Sequence, residues 1–594
     1  MFRIFLVVSF FSFSFLDYSF ADTTLEPIVF MSKKDIKKSD MISDYYEYNV
    51  TELDSKTHSN ALNLIRKIPG VDISQTGLLG GEGSVYIRGL EGKHTLILID
   101  GIKVYDPSSI GKTFNLATLN TLDIEKIEVL KGGQSVLYGS DAIGGVINIV
   151  TKKGASKDRV SISHGYYSQV SADKSIAIGK TLLFINAFYQ ESEFDSEVED
   201  GDEIDKHQQK GFTLNHSSEF NKLELTTNIK YQNSFSEVDA NQADDKHAYG
   251  KDDSLLIGES IKYHYSEDVK VEFLLSYHKV DRKNKYFDSY NGNIYKTPMF
   301  SSYIFEKELK IQEKLSNGTV VYGLNHVNEK LLDADEFSSE EENIIFDSYI
   351  DRFQKIDSYS LNYGGRVTSN ENYGSHLIHN LGVKKDVSKN HAVKANSSSG
   401  FKAPSIYQTK NPTYGNKNLS PEKSQTFELS YLYSKENKNF SAAVFQTEID
   451  EVITFSDDNK YINHDTGIYK GVELLFDVYD KMNRFETGLT LLNIKLSGDK
   501  EASKRPDFSY HALFERSIND ALQFQIDWKW VGRRFSYDEK VMKPYDITDL
   551  NFAYTHQSFQ GVLSLINIFD REYELARGYS TLRRAVQGTI TYNY

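Results

Sequence analysis

The sequence predicts a transmembrane β-barrel of about 22 antiparallel strands, with an N-terminal α/β plug domain folded inside its lumen. Three observations carry this expectation. From residue 154 to the last residue, apolar and polar side chains alternate with period two: Leu223, Leu225, Ile229 and Tyr231 share one face of a strand, and Glu224, Asn228 and Lys230 share the other. Tyr 39 and Phe 36 against Trp 2, with 26% charged residues and a mean hydropathy of -0.48, exclude a bundle of apolar helices and suit strands that show lipid only every second residue. The region after residue 153 leaves about 440 residues, enough for about 22 strands at roughly 20 residues each with their turns. A barrel that wide has a lumen to fill, and the preceding compact region is the natural filling.

The elements follow in order. Residues 4–16 form a short apolar run between Arg3 and the small-residue site Ser19-Phe20-Ala21. At 13 residues it is too short for a membrane-spanning helix and reads as a signal peptide over residues 1–21. Residues 22–57 read as a polar extension with one sticky segment, Pro27-Ile28-Val29-Phe30-Met31. Residues 58–153 read as the plug: Leu62, Ile65 and Ile68 fall at helical spacing before Pro69-Gly70, and short apolar runs follow between glycine-rich turns such as Asp100-Gly101. Residues 154–594 read as the barrel, ending on the alternation Val586, Gly588, Ile590, Tyr592 and Tyr594. A soluble adhesin or propeller would show repeats of fixed period, and none is visible. With Cys 0, neither disulfides nor a lipidated cysteine contribute.

Particular strings within this frame resemble the plug motifs of TonB-dependent outer-membrane receptors. They are Ile68-Pro69-Gly70-Val71, Tyr86-Ile87-Arg88-Gly89, Leu98-Ile99-Asp100-Gly101, Ile127-Glu128-Val129-Leu130-Lys131-Gly132 and Gly144-Gly145-Val146-Ile147-Asn148-Ile149. Gly133 departs from the family, which usually has proline there. In the barrel, Phe401-Lys402-Ala403-Pro404, Gly471-Val472-Glu473 and Asn567-Ile568-Phe569-Asp570 are similar to that family's recurrent strings. Within the family, Gly139-Ser140-Asp141-Ala142, Asn418-Leu419-Ser420-Pro421-Glu422 and Gly578-Tyr579-Ser580-Thr581 resemble the cobalamin (vitamin B12) branch most.

The resemblance implies a set of sites. Pro27, Ile28, Val29, Phe30 and Met31 stand where the family's TonB box belongs, an extended segment that adds a strand to TonB, which is driven by an inner-membrane energising complex. Arg88 is the plug cation expected to meet barrel glutamates, with Glu422 and Glu473 as its partners. Ligand capture falls to the plug's apical loops, through Leu78, Gly80, Gly81, Glu82, Gly83, Tyr105, Asp106, Ser108, Ser109 and Lys112. Glycines there let backbone N–H groups approach a ligand. Two acidic stretches, Asp200, Asp202 and Asp205 followed by Asp239, Asp244 and Asp245, offer oxygen ligands suited to calcium, and no other cofactor is expected.

Other chemistries are excluded. Gly111-Lys112-Thr113 lacks the first glycine of a nucleotide-binding loop, Asp106 standing in its place, and glycines 80 to 83 precede a strand rather than a helix. The net charge of -16 disfavours nucleic acid, and no catalytic constellation is visible. The implied function is TonB-dependent active transport of cobalamin or a corrinoid across the bacterial outer membrane, where the barrel meets lipid. The alternatives are a ferric siderophore as cargo, then haem, for which a histidine would be expected between residues 401 and 419 and none occurs. From another class stand a passive porin and a surface adhesin, neither of which needs plug motifs.

Overall fold

A computed structural model of the chain describes residues 33, 36–154, 157–196, 204–239, 247–288, 294–334, 337, 339–456, 458–464, 466–497 and 501–594. The expected signal peptide, the segment from Pro27 to Met31, and Asp200, Asp202, Asp244 and Asp245 lie outside these residues.

Among the described residues, 22 strands close into an antiparallel barrel that runs from Arg159–Gly165 to Ala585–Asn593. The seam pairs these two strands, with Gln587 opposite Gly165 and Asn593 opposite Arg159. Closure leaves no strand edge, so every wall strand finds backbone partners on both sides, as a hydrocarbon surround requires. The short strand Ile294–Lys296 pairs with the tip of Val269–Asp288 and stands apart from the wall, whose continuation is Met299–Leu315. Alternation along each strand then sorts side chains between lipid and lumen. In Glu422–Lys435, Phe427, Leu429 and Tyr431 are exposed on the outside while Thr426, Glu428 and Ser430 are buried inside. In Leu223–Glu237, Asn228, Lys230, Gln232 and Ser234 are buried towards the lumen.

One rim is made of short turns such as 179–180, 221–222 and 357–358, in which Asn221 and Asp357 take the left-handed conformation that tight reversals favour (φ 53 for both). The other rim carries longer connections. Two of them hold hairpins of their own, Val452–Phe455 with Tyr461–His464 and Arg534–Phe535 with Val541–Met542. In outer-membrane barrels the short turns face the periplasm and the long loops face outward.

The lumen holds the plug. Its five-stranded sheet has the order Asp44–Asn49, Ile124–Lys131, Gly145–Thr151, Thr95–Ile99 and Ile102–Lys103; Thr95–Ile99 pairs with Gly145–Thr151 in parallel and the other neighbours are antiparallel. A separate hairpin joins Val71–Gln75 to Gly83–Ile87. The helix Ala61–Ile65 starts where the Asn60 side chain accepts the Asn63 N–H, and its Leu62, Leu64 and Ile65 are buried in the plug core. One expectation needs correction. Within the segment 22–57 read as an extension, residues 44–57 belong to the plug, because Asp44–Asn49 forms the edge strand of the sheet and Glu52–Thr57 a helix with a Thr51/Asp54 capping box. Tyr46 and Tyr48 are the buried face of that strand and join the core, and tyrosines set among acids disguise the apolar alternation.

The outward placement of Leu429 makes a direct prediction. Leu429→Arg puts a charge into lipid and should lower the stability of the barrel folded in phospholipid by about 2–4 kcal/mol at mid-membrane depth. Urea titration followed by tryptophan fluorescence measures it; an unchanged midpoint would contradict a lipid-facing position.

Candidate functional site

The plug meets the wall through ion pairs, and Arg88 stands at the centre of one extended group. It follows the strand Gly83–Ile87 in left-handed conformation (φ 53), with Gly89 also at positive φ (φ 75), a backbone that non-glycine residues seldom adopt. Its guanidinium donates to Glu428 at 2.6 Å, to Asp44 at 2.8 Å and to Glu473 at 2.9 Å, and lies 4.1 Å from the centre of the Phe445 ring. Lys131 adds a contact to Glu473 at 3.2 Å. Burial disfavours the charge, but Glu473, Glu428 and Asp44 outweigh it and hold Arg88 firmly protonated. Burial would likewise raise the Asp44 carboxyl, yet Lys131 and then Arg88 bring it down to about 2.

Glu422 has other partners than the one expected. It accepts from Lys93 at 2.8 Å and from His94 Nε2 at 2.7 Å. It opens the strand Glu422–Lys435 at its outer end, and Glu428, on the same lumen face further down, is level with Arg88. Asp44 and Glu428 are thus partners that motif reading missed. The strand's period of two, which places 422 and 428 on one face, is the signal that could have found Glu428.

The apical loops are mostly engaged with the plug and wall themselves. Gly80 presses against the wall: a Cβ there would lie 2.0 Å from Ser236 Oγ. Gly81 folds over Thr76, where a Cβ would lie 1.6 Å from the Thr76 carbonyl oxygen, and the Gly83 N–H donates to Asn115 at 3.1 Å. Tyr105 donates to Glu329 at 2.7 Å, and Lys112 is buried between Glu329 at 2.9 Å and Asp141 at 3.4 Å. Lys402 completes this group from the wall, 2.5 Å from Asp141. Burial works against the Lys112 ammonium, but Asp141 and Glu329 keep its pKa above the usual lysine value. Asp106 accepts from Ser108 N–H and Ser302 Oγ, both at 2.8 Å. Gly81, Gly83, Tyr105, Asp106, Ser108 and Lys112 therefore build the outer face rather than line it. Leu78, Gly80 and Ser109 are half-buried, and the exposed points are Glu82 and Ile110.

Barrel loops add what the sequence reading did not single out. Ser405 Oγ donates to the Ile110 carbonyl at 2.8 Å, so loop 403–421 rests on the plug's apical loop. That loop and the hairpin Val452–Phe455/Tyr461–His464 bring together Tyr407, Tyr414, Phe455 and Tyr461, with ring centroids 5.0 Å apart for Phe455 and Tyr461 and 5.7 Å for Tyr414 and Phe455. These rings come from two segments about 40 residues apart, a separation at which periodicity carries no information. They pack edge-on against one another, with Tyr461 buried, Tyr407 and Tyr414 half-buried and the Phe455 ring exposed. Of the acidic loop residues, Asp205 is buried and Asp239 accepts from Ser196 at 2.6 Å. Among the described residues no group of three or more metal-binding side chains converges.

Comparison with known proteins bears on this architecture. Residues 37–146 match the model of the TonB-dependent receptor plug domain, and residues 188–568 match that of the TonB-dependent receptor-like β-barrel. The vitamin B12 transporter BtuB of Vibrio cholerae serotype O1 is 26% identical over 96% of this chain and 95% of its own length. That of Photobacterium profundum is 25% identical over 91% of each. Among solved structures, the siderophore receptor PirA from Acinetobacter baumannii superposes with a TM-score of 0.79 at 18% identity, covering 93% of this chain and 98% of its own. The ferric enterobactin receptor PfeA from Pseudomonas aeruginosa gives 0.77 at 16%, with the same coverage.

The Arg88 group predicts how the plug is released. Arg88→Ala leaves the buried Glu428 without its cation and Glu473 and the half-buried Asp44 with Lys131 alone, and it should destabilise plug seating by about 3–5 kcal/mol, measured as protease access to the plug in an intact barrel. Because the folded pKa of Asp44 is depressed, its stabilising contribution is complete above the unfolded value of about 3.9 and is lost as pH falls towards 2. Plug protection should hold at pH 5 and weaken only below about pH 4. Weakening centred near neutrality would contradict the assignment.

Proposed function

The chain belongs to the TonB-dependent receptor family and sits in the bacterial outer membrane, and on that premise we propose that it imports cobalamin or a related corrinoid by TonB-coupled active transport. The family consists of receptors and transporters rather than enzymes. One observation carries the cargo reading: similarity to a vitamin B12 transporter, at 26% identity, extends over 96% of the chain.

The cargo lands on the outer rim. The exposed Phe455 ring, braced by Tyr407, Tyr414 and the buried Tyr461, stacks against the flat macrocycle, and Ile110 with Glu82 meets it from the plug side. Because Ser405 is hydrogen-bonded to the Ile110 carbonyl, displacement of one loop is felt by the other. In the periplasm, Pro27, Ile28, Val29, Phe30 and Met31 pair with TonB as an added strand, and tension passes along the chain to Asp44, a partner of Arg88. Pulling Asp44 away leaves Arg88 with two carboxylates of the wall, so the plug loosens without losing all its anchors. Calcium held by the acidic outer loops through Asp200, Asp202, Asp205, Asp239, Asp244 and Asp245 belongs to the same proposal: chelation should weaken cargo affinity, and equal affinity removes calcium from it.

Equilibrium binding to purified protein tests the cargo. Saturable binding of cyanocobalamin, with no competition from a panel of ferric siderophores, is expected; binding of a ferric chelate in its place would overturn the corrinoid reading. Coupling has its own test. Ile28→Pro removes a backbone donor from the added strand and should abolish uptake while cyanocobalamin binding at the cell surface is kept. Undiminished uptake would show that another segment engages TonB.

A further inference from the structure

The side chains that face lipid are not uniform around the barrel, and one wall strand stands lower than its neighbours. On His391–Lys402 the outward residues at mid-strand are Ala395 and Ser397. Val383 and Leu381 of Gly374–Ser388 lie beside them on one side, and Leu429 and Phe427 of Glu422–Lys435 on the other. Register carries the relief one strand further each way, to Leu361 and Tyr363 and to Val444 and Gln446. Small residues between tall ones leave a trough in the outer surface, a groove of about 740 Å³. Leu381, Phe427, Leu429 and Val444 on its rims are exposed. Ser397 on the floor accepts the Gln425 amide at 3.0 Å, so its hydroxyl is already bonded. An apolar trough within a membrane is filled by hydrocarbon, because an empty one leaves its lining without partner atoms.

The periplasmic end of the same strands carries positive charge. Along His391–Lys402 the outward side runs His391, Val393, Ala395 and Ser397 from that end upward, so the charged rim and the trough are continuous. Lys385 pairs with Val393 just below the trough and holds its ammonium 5.2 Å from the centre of the Tyr359 ring. Lys389, in the turn 389–390, and Lys435, at the end of its strand, are exposed. Lys435 also stands directly opposite Lys438 across the turn 436–437. Like charges opposite one another on a sheet repel, and an anion shared between them turns that repulsion into attraction. Glu436 is the one carboxylate in these two turns, and Asp386 nearby is bound to Lys384 at 2.7 Å. Tyr431 and Tyr433 flank the lower end of the trough, as aromatic side chains do at a membrane–water boundary. A 2.6 Å hydrogen bond with His391 Nδ1 fixes the Tyr431 ring.

We propose that this face binds an anionic diacyl phospholipid of the inner leaflet, with an acyl chain in the trough over Ala395 and Ser397 and the phosphate held by Lys385, Lys389, Lys435 and Lys438. The short turns put these lysines at the periplasmic surface, which selects the inner leaflet as the source. Lysines at a membrane surface attract anionic headgroups and leave zwitterionic ones without that gain. The site follows from the barrel's place in the outer membrane and is independent of the cargo. Its consequence lies on the other side of the wall. Glu428, which receives Arg88 at 2.6 Å, stands between Phe427 and Leu429 on one strand, so a chain packed against those two braces the backbone that carries the plug's anchor.

Native mass spectrometry of the purified full chain in detergent tests the site. Phosphatidylglycerol and phosphatidylethanolamine with the same acyl chains are offered in equal amounts. The wild type should retain phosphatidylglycerol about tenfold more, the ratio that about 1.4 kcal/mol of headgroup attraction gives. Lys385→Gln, Lys389→Gln and Lys435→Gln made together should abolish the preference. Lys180→Gln, Lys222→Gln and Lys314→Gln remove the same charge from exposed positions at or beside other short turns, and that variant should keep it. Ala395→Trp fills the trough and should reduce phosphatidylglycerol retention with every lysine in place. Heat-modifiable migration verifies that each variant has closed its barrel, and the wild-type preference is read without any variant. Equal retention of the two lipids by the wild type overturns the proposal by itself. Loss of preference in both triple variants would mean diffuse attraction to a basic rim, and undiminished retention by Ala395→Trp would mean that no chain lies in the trough. Either result overturns the site, as does retention of lipid A in place of phosphatidylglycerol, which would assign this face to the outer leaflet.

Discussion

Charges buried in the lumen must be paired, and this single constraint organises how the plug sits in the barrel. A wall strand in lipid has one apolar face, so its polar side chains all point inward, where the plug excludes most of the water. A carboxylate in that setting is tolerated only beside a cation. The division of labour is consistent around much of the ring: the plug brings Arg66, Arg88, Lys93, Lys103 and Lys112, and the wall brings Asp549, Glu473, Glu422, Glu306 and Glu329. Lys402 with Asp141 and Lys230 with Asp123 reverse the roles.

Such pairing specifies position more than it adds stability. Replacing a buried pair by apolar residues is often neutral, whereas removing one partner is costly. A plug fixed in this way has one seated position, yet it can leave a partner when force is applied along the chain. Asp44 makes the point, because it belongs at once to the edge strand Asp44–Asn49, which begins at the pulled end, and to the Arg88 group. The left-handed backbone of Arg88 is the local cost of aiming its side chain out of the plug towards Glu428 and Glu473.

Much of this was legible in the residues. Period-two alternation identified the wall and its lipid face, chain length fixed the strand number, and the run around Arg88 marked a cation that reaches Glu473. Local pattern could not identify which wall carboxylates stand level with a plug residue. That depends on strand register and plug height, which separate Glu422 from Glu428 although both face inward. It also could not tell a loop residue that meets a ligand from one that braces the loop: Tyr105 and Lys112 have the chemistry of ligand contacts and are consumed by Glu329 and Asp141. The edge strand Asp44–Asn49 escaped notice because one buried face of two tyrosines among acidic neighbours does not read as apolar.

The central claim is that plug and wall are held by specific pairs rather than by general packing, and a double-mutant cycle between Arg88 and Glu473 tests it most directly. Plug-unfolding free energies are measured for the wild type, Arg88→Met, Glu473→Gln and the double variant, all in the intact barrel. Specific pairing predicts a coupling energy of about 1–3 kcal/mol, the double variant losing less than the two single losses combined. Additivity of the two losses to within about 0.5 kcal/mol would contradict it and leave shape alone to seat the plug.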